Sequence, residues 1–213
     1  MDTPRPATRE QLNDGPPTPP RQSAAVILLR DAPAGPPTFE LLLVQRNPAQ
    51  HFMGGYWVFP GGAVDAHEGD GDVAHRAAAV RELREEAGVG GIDADELVKY
   101  SRWITPELLK IRFDTHFFLA RAPAGAHARC DGRECVDLRW STPRAALDAE
   151  RRGELALAFP TLRQLEQLAS FDSVHALLKH TSTHPLVPML PKLVRHGEVA
   201  RPYLPGEPGY EAG

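Results

Sequence analysis

Only two cysteines occur among 213 residues, too few for a disulfide framework. Cys130 and Cys135 flank Asp131-Gly132-Arg133-Glu134, a spacing open to a strained local bridge or half a metal site. Two ordinary thiols near a turn are the simpler expectation. No apolar run is long enough for a bilayer-crossing helix, and Met1 to Arg5 lacks the apolar core of a secretory signal. The chain is therefore expected to be cytoplasmic, with no membrane partner. Basic blocks are missing as well. The 24 Lys and Arg are outnumbered by 28 Asp and Glu, so bulk electrostatics argue against a nucleic-acid partner. A polyanionic small molecule would need local cations or a metal. Self-association as a homodimer is compatible with this composition.

Proline is abundant at the ends. Gly15-Pro16-Pro17-Thr18-Pro19-Pro20 cannot sustain a helix or a sheet ladder, so residues 1–22 are expected to be a flexible tail. Residues 183–213 are proline-punctuated and are expected to be an irregular C-terminal tail. The region between, 23–182, reads as one domain of a size that can bury a good core. In it, Ser23–Arg30 and Phe39–Arg46 are apolar runs read as buried strands, and Tyr56–Phe59 is a short strand halted by Pro60-Gly61-Gly62. Leu97–Ile104, Phe113–Ala120 and Cys135–Trp140 also read as strands. Helices are expected over Thr142–Arg152 and Thr161–His180, the latter broken near Ser170-Phe171-Asp172. Alternating elements make the class mixed α/β.

From Val73 to Ala87 the pattern turns helical. Val73, Ala77, Val80, Leu83 and Ala87 recur every three or four residues and are expected to face the core, with Asp72 as N-cap and Gly88 just past the end. Glu82, Glu85 and Glu86 then share one face. Three like charges there repel one another. Ala78 and Ala79, one turn earlier, leave room for a hard divalent cation with oxygen ligands. A solvated face with Arg81 and Glu85 paired is the alternative for these glutamates taken alone. The strand and glycine loop upstream favour the cation, because Gly61 and Gly62 permit close approach of backbone to metal or phosphate.

Gly62 followed by Arg81-Glu82-Leu83-Arg84-Glu85-Glu86-Ala87-Gly88-Val89 resembles the Nudix box: a glycine, a glutamate, then Arg-Glu-aliphatic-any-Glu-Glu-any-Gly-aliphatic. The second half matches at every specified position. In the first half, eighteen residues separate Gly62 from Arg81 where the standard box has thirteen. Counting back from Arg81 puts Val73 at the box glutamate. Asp65, Glu68, Asp70 and Asp72 lie in the lengthened loop, either as substitutes for that carboxylate or as a solvated acidic loop.

The resemblance implies an α/β/α sandwich around a mixed sheet and Mg²⁺- or Mn²⁺-dependent hydrolysis of a diphosphate bond. It implies metal ligands among Glu82, Glu85, Glu86 and the Gly62 carbonyl, with catalysis by Glu85, Glu86 and a separate base. Glu134 is the candidate base, with an exposed turn glutamate as its other reading. Leu42-Leu43-Val44-Gln45-Arg46, His51, Gly55 and Phe59-Pro60-Gly61-Gly62 resemble in spacing a signature of coenzyme A diphosphatases, although Val44, Asn47 and His51 replace its Thr, Ser and Arg. The long box loop, Trp103-Ile104-Thr105-Pro106 and Arg112-Phe113-Asp114-Thr115-His116 resemble the acyl-coenzyme A diphosphatase branch. Coenzyme A or an acyl derivative is thus the expected substrate, with ADP-ribose, NADH, dinucleoside polyphosphates and nucleoside triphosphates as alternatives. A non-catalytic metabolite sensor is the alternative from a different class. Gly61, Arg46 and Arg112 are the candidate substrate-binding residues, though each arginine could equally cap a strand end. His51 and His116 read as packed residues rather than ligands. Trp57, Phe117 and Phe118 line either a pocket or the core.

Overall fold

A computed structural model describes residues 10–32, 38–196 and 199–212. Strand β1 (Arg21–Asp31) carries an unbroken apolar run because both of its faces are covered. The described residues place it inside an eight-stranded sheet of order β3-β2-β1-β6-β5-β8, with β4 also on β1 and β7 on β2. The other strands are β2 (Phe39–Arg46), β3 (Trp57–Val58), β4 (Gly61–Ala63), β5 (Val98–Ile104), β6 (Phe113–Arg121), β7 (Cys135–Ser141) and β8 (Pro188–Met189). The β1–β6 and β5–β8 pairs are parallel and the remainder antiparallel, so the sheet is mixed.

Helix α1 (Gly71–Ala87) packs on one face of the sheet, where Ala24, Val26 and Leu28 meet Ala78, Ala79 and Leu83. The opposite face, with Ala25, Ile27 and Leu29, is covered by α2 (Pro143–Arg151), α3 (Phe159–Leu168) and α4 (Val174–Thr183). This is the expected α/β/α sandwich. The break in the last helical stretch falls at residues 169–173, where the Ser173 side chain caps α4 by accepting from the Ala176 N–H. No helix among the described residues is long and apolar enough to cross a membrane.

Helix α1 departs from its sequence pattern at the start. It begins at Gly71 behind Asp70, not behind Asp72, because the Asp72 carboxylate is held sideways by Arg76 at 2.9 Å and Lys99 at 2.8 Å. Val73 is 76% exposed rather than in the core, and Ala74, Ala78 and Ala79 make the inner face instead. These alanines do not border a cation space. Ala78 and Ala79 lie against the sheet and let the helix axis approach it closely. Gly88 ends the helix in the left-handed conformation, φ 66°, its N–H returning to the Arg84 carbonyl.

The terminal segments are more ordered than their proline content suggests. Residues 1–9 of the expected N-terminal tail lie outside the described residues. From residue 10 on, the segment is bound: Leu12 bridges Leu109, the Asn13 N–H reaches the Leu108 carbonyl, and Thr18 offers its carbonyl to Arg112. Prolines lack N–H groups, but neighbouring residues still present carbonyls and donors. At the other end, β8 extends the sheet and β9 (Lys192–His196) pairs with β10 (Val199–Tyr203), in place of an irregular tail. Leu193 and Ala200 bury themselves against Leu109.

Between β5 and β6, Asp114 is 3% exposed and accepts from Arg102 at 2.8 and 2.6 Å. The hydrogen bonds from Arg102 hold its carboxyl below the usual range. Asp114→Asn is expected to lower stability by about 1 to 2 kcal/mol, reduced by the partial exposure of Arg102, in urea titrations at pH 7. A depressed carboxylate pKa stabilises above the ordinary value near ~3.9 and stops doing so as pH falls through the folded value. The gap between wild type and variant should therefore close below about pH 4; an unchanged gap would count against the pair.

Candidate active site

The second half of α1 brings carboxylates to the sheet beside Leu83 and Ala87. Glu86 is 2% exposed; one oxygen accepts from the Gly61 N–H at 2.9 Å and the other has no hydrogen-bond partner. The nearest cation is Arg46, whose Nη1 lies 3.7 Å away while its Nε donates to the Phe52 carbonyl. Burial raises the Glu86 pKa to about 7, with the Gly61 bond and Arg46 opposing. Cys135, free and buried beside it, has its thiol pushed far up by burial and by the Glu86 charge.

Glu82 lies one turn earlier and touches the same glycine strand. A side-chain carbon built on Gly62 would fall onto the Glu82 carboxylate, so any larger residue there would displace that carboxylate. Burial also raises the Glu82 pKa; Arg81 opposes this, and the negative charges of Glu134 and Glu85 add to it. Arg81 ties the site together. It donates to Glu68 at 2.9 and 3.3 Å, to Glu82 at 2.7 Å, to Glu85 at 3.1 Å and to the Ala63 carbonyl at 2.9 Å.

Glu68 resolves the irregular box. Its side chain is only 5% exposed and bridges Arg81 and the Asp65 N–H, so it occupies the place that counting back from Arg81 gave to Val73. Counting forward from Gly62 finds it directly, since five residues separate Gly62 from Glu68 as the box requires. The extra residues lie between Glu68 and Arg81, where they form the exposed start of α1.

A cavity of about 540 Å³ opens beside these groups. Gly61, Gly62, Glu82, Arg46 and Glu134 line it. Glu134 is exposed, its backbone clamped by the Asp131 carboxylate and the Asn47 N–H. Glu86 stands behind Gly61 and Arg46. Glu85 does not join the lining: its side chain is 53% exposed and turned to Arg81. The Gly61 N–H points to Glu86, so the glycine positions a carboxylate instead of presenting a donor to substrate.

Arg112 is a correction. It is 7% exposed, donates to the carbonyls of Thr105 and Thr18 at 3.1 and 2.6 Å, and so anchors the N-terminal segment rather than lining the cavity. A strand-end arginine looks alike in sequence whether it meets a ligand or a carbonyl. Arg21, over the Phe113 ring at 5.6 Å, lines the cavity, as does Asp65; neither has a motif that sequence could flag as a substrate contact. Of the three aromatics, Phe117 lines the cavity, whereas Trp57 and Phe118 pack in the two cores. His116 stacks on His75, 3.9 Å between ring centroids, and His51 is exposed.

Comparison with known proteins places this geometry. The NUDIX domain family model matches residues 19–162, more than half of the chain. The putative 8-oxo-dGTP diphosphatase 3 of Mycobacterium tuberculosis is 33% identical over 147 residues, 67% of this chain and 62% of that protein. The human acyl-coenzyme A diphosphatase NUDT19 is 27% identical over 268 residues, 75% of this chain and 71% of that protein. The crystal structure of a Nudix hydrolase from Alicyclobacillus acidocaldarius superposes with a TM-score of 0.68 at 25% identity, covering 80% of this chain and 99% of that one. The chain spans less than two thirds of the length of some of the curated relatives that it matches.

If Glu68 is the partner of Arg81, Glu68→Ala should lower the unfolding free energy by about 1 to 2 kcal/mol. Val73→Ser, at an exposed position, should leave it within about 0.5 kcal/mol of wild type. Chemical denaturation of both variants checks this, and the reverse ranking would return the box position to Val73.

Proposed function

The chain belongs to the Nudix family, and from that membership we propose that it is a diphosphatase that hydrolyses a phosphoanhydride bond in a nucleoside diphosphate derivative, with coenzyme A or an acyl-coenzyme A as substrate. The observation that carries the reaction is the buried oxygen of Glu86, which has no hydrogen-bond donor and only the Arg46 guanidinium at 3.7 Å, behind the glycine strand that Glu82 touches. A buried carboxylate oxygen without a donor is costly unless a cation completes it.

The residues fit Mg²⁺ or Mn²⁺. No three His, Cys, Asp or Glu side chains among the described residues form a ready metal cage. Mg²⁺ sites of the kind that take one or two carboxylates, with water and substrate phosphate completing the shell, do not need one. Glu82 and Glu86 would hold the ion, and the Gly62 carbonyl is the third candidate. When bound, the metal supplies charge neutralisation of the diphosphate and a water of lowered pKa.

The chain's own groups do the rest. Arg46 lines the cavity and is the group that offers guanidinium donors to phosphate oxygens. Glu134 lines the cavity at an exposed position and is the base that takes the proton of the attacking water. Arg81 acts as a positioning residue, fixing Glu82 and Glu68 by charge-assisted bonds. Glu85 serves through Arg81. The substrate assignment is supported by the likeness to NUDT19 and by the aromatic lining around Phe113, Phe117 and Phe159.

The test is a substrate panel with and without Mg²⁺ or Mn²⁺, products identified by mass spectrometry. Coenzyme A or its octanoyl thioester should yield adenosine 3′,5′-bisphosphate and the corresponding phosphopantetheine. ADP-ribose, NADH and nucleoside triphosphates form the other arms, and faster metal-dependent turnover of any of them reassigns the substrate. Glu82→Gln and Glu86→Gln should each lower kcat by at least about a hundredfold while the melting curve persists. Tight binding of a panel member with no turnover would make the chain a sensor.

A further inference from the structure

The cavity reaches well beyond the carboxylates. Gly61 and Gly62 in β4 pair with Ala25 and Ala24 of β1, β6 lies on the other edge of β1, and β5 with Trp103 lies beyond it. Trp103 is thus three strand spacings from the glycines, about 14 Å. Both line the same cavity.

Around Trp103 the wall is mostly apolar: Phe113, with Arg21 over its ring at 5.6 Å, Leu109, Leu157 and Phe159, the last edge-on to Trp103 with centroids 6.3 Å apart. Pro191, Leu193 and Pro202 complete it. These three lie outside residues 19–162, the part that the family model matches. Local pairing explains how they arrive. Met189 pairs with Trp103 at the sheet edge, which returns the chain from α4 to the cavity, and Leu193 stands opposite Pro202 across the β9–β10 hairpin. Leu193 is then fixed by packing on Leu109.

Three hydroxyl groups in this wall already have partners. The Thr105 hydroxyl accepts from the Phe113 N–H at 3.0 Å, and Ser23 and Thr115 share a hydrogen bond of 2.7 Å. Such a wall gains from covering apolar carbon more than from reading the polar edge of a base. We propose that the β9–β10 hairpin, through Leu193 and Pro202, builds a specificity subsite for an apolar chain carried by the substrate at the end away from its diphosphate. The inference rests on the diphosphatase reading for the orientation of the substrate, but binding tests it separately.

Calorimetry on the full chain, in EDTA and again with Ca²⁺, compares coenzyme A with octanoyl-coenzyme A. Wild type should bind the octanoyl thioester at least about tenfold more tightly. Leu193→Trp, which fills the subsite, should remove that preference and leave the affinity for coenzyme A within about twofold. Should Leu193→Trp fail to fold, Leu193→Ala should weaken the octanoyl thioester alone, about threefold or more. Equal affinities in wild type, including none for either ligand, would overturn the proposal, as would an equal loss for both ligands in the variants. Chain-dependent binding without turnover in the panel would fault only the diphosphatase reading. Turnover of coenzyme A without any chain-length preference in binding would fault only the subsite.

Discussion

Glu86 is buried with one oxygen on the Gly61 N–H and the other without a hydrogen bond, facing Arg46 at 3.7 Å, and the site depends on how it is brought there. Ala78 and Ala79 set the distance: with methyl groups facing the sheet there, α1 lies close enough for the next turn to bring Glu82 and Glu86 against Gly61 and Gly62. Larger residues would lift the helix away. The glycines answer from the other side, because a side chain on Gly62 would occupy the Glu82 carboxylate and one on Gly61 would meet Ala25. Small residues on both surfaces thus hold charge where water has been removed, and burial raises the pKa of both glutamates as a result.

Arg81 limits the electrostatic cost of that burial. It neutralises Glu82 and Glu68 and fixes the strand end through the Ala63 carbonyl, so helix, loop and strand are tied at one guanidinium. Because Glu68 is pinned to Arg81, the loop can lengthen after it without moving the carboxylates. The added residues go to the exposed start of α1, where Val73 faces solvent.

Beyond the matched domain, the two terminal segments shape the cavity. Residues 10–20 are fastened by Arg112 and by bonds to Leu108 and Lys110; the β9–β10 hairpin is fastened by Leu193 on Leu109. Both segments converge on Leu109, which packs with Leu12 and Leu193. One end of the cavity is therefore set by the glutamate helix, and the other is completed by Pro191, Leu193 and Pro202, which lie outside the matched domain.

Strands β1, β2, β3, β5, β6 and β7, the break between α3 and α4, the left-handed Gly88 and the acidic helix were legible in the sequence, since each is written in local periodicity or in a residue with special backbone freedom. The core face of α1 was less so. An alanine-rich helix carries little contrast between its faces, and the fold buries Ala74 and exposes Val73. Glu68 was readable by counting forward from Gly62, but its role required the fold to bring it to Arg81. Arg112 and Arg21 could be told apart only by tertiary structure, because a guanidinium is defined by what it meets: for Arg112 two carbonyls, for Arg21 an aromatic ring at the cavity wall. The proline-rich ends misled for a related reason: proline removes hydrogen bonds that local structure would use, whereas long-range carbonyl contacts and the burial of Leu193 bind these segments regardless.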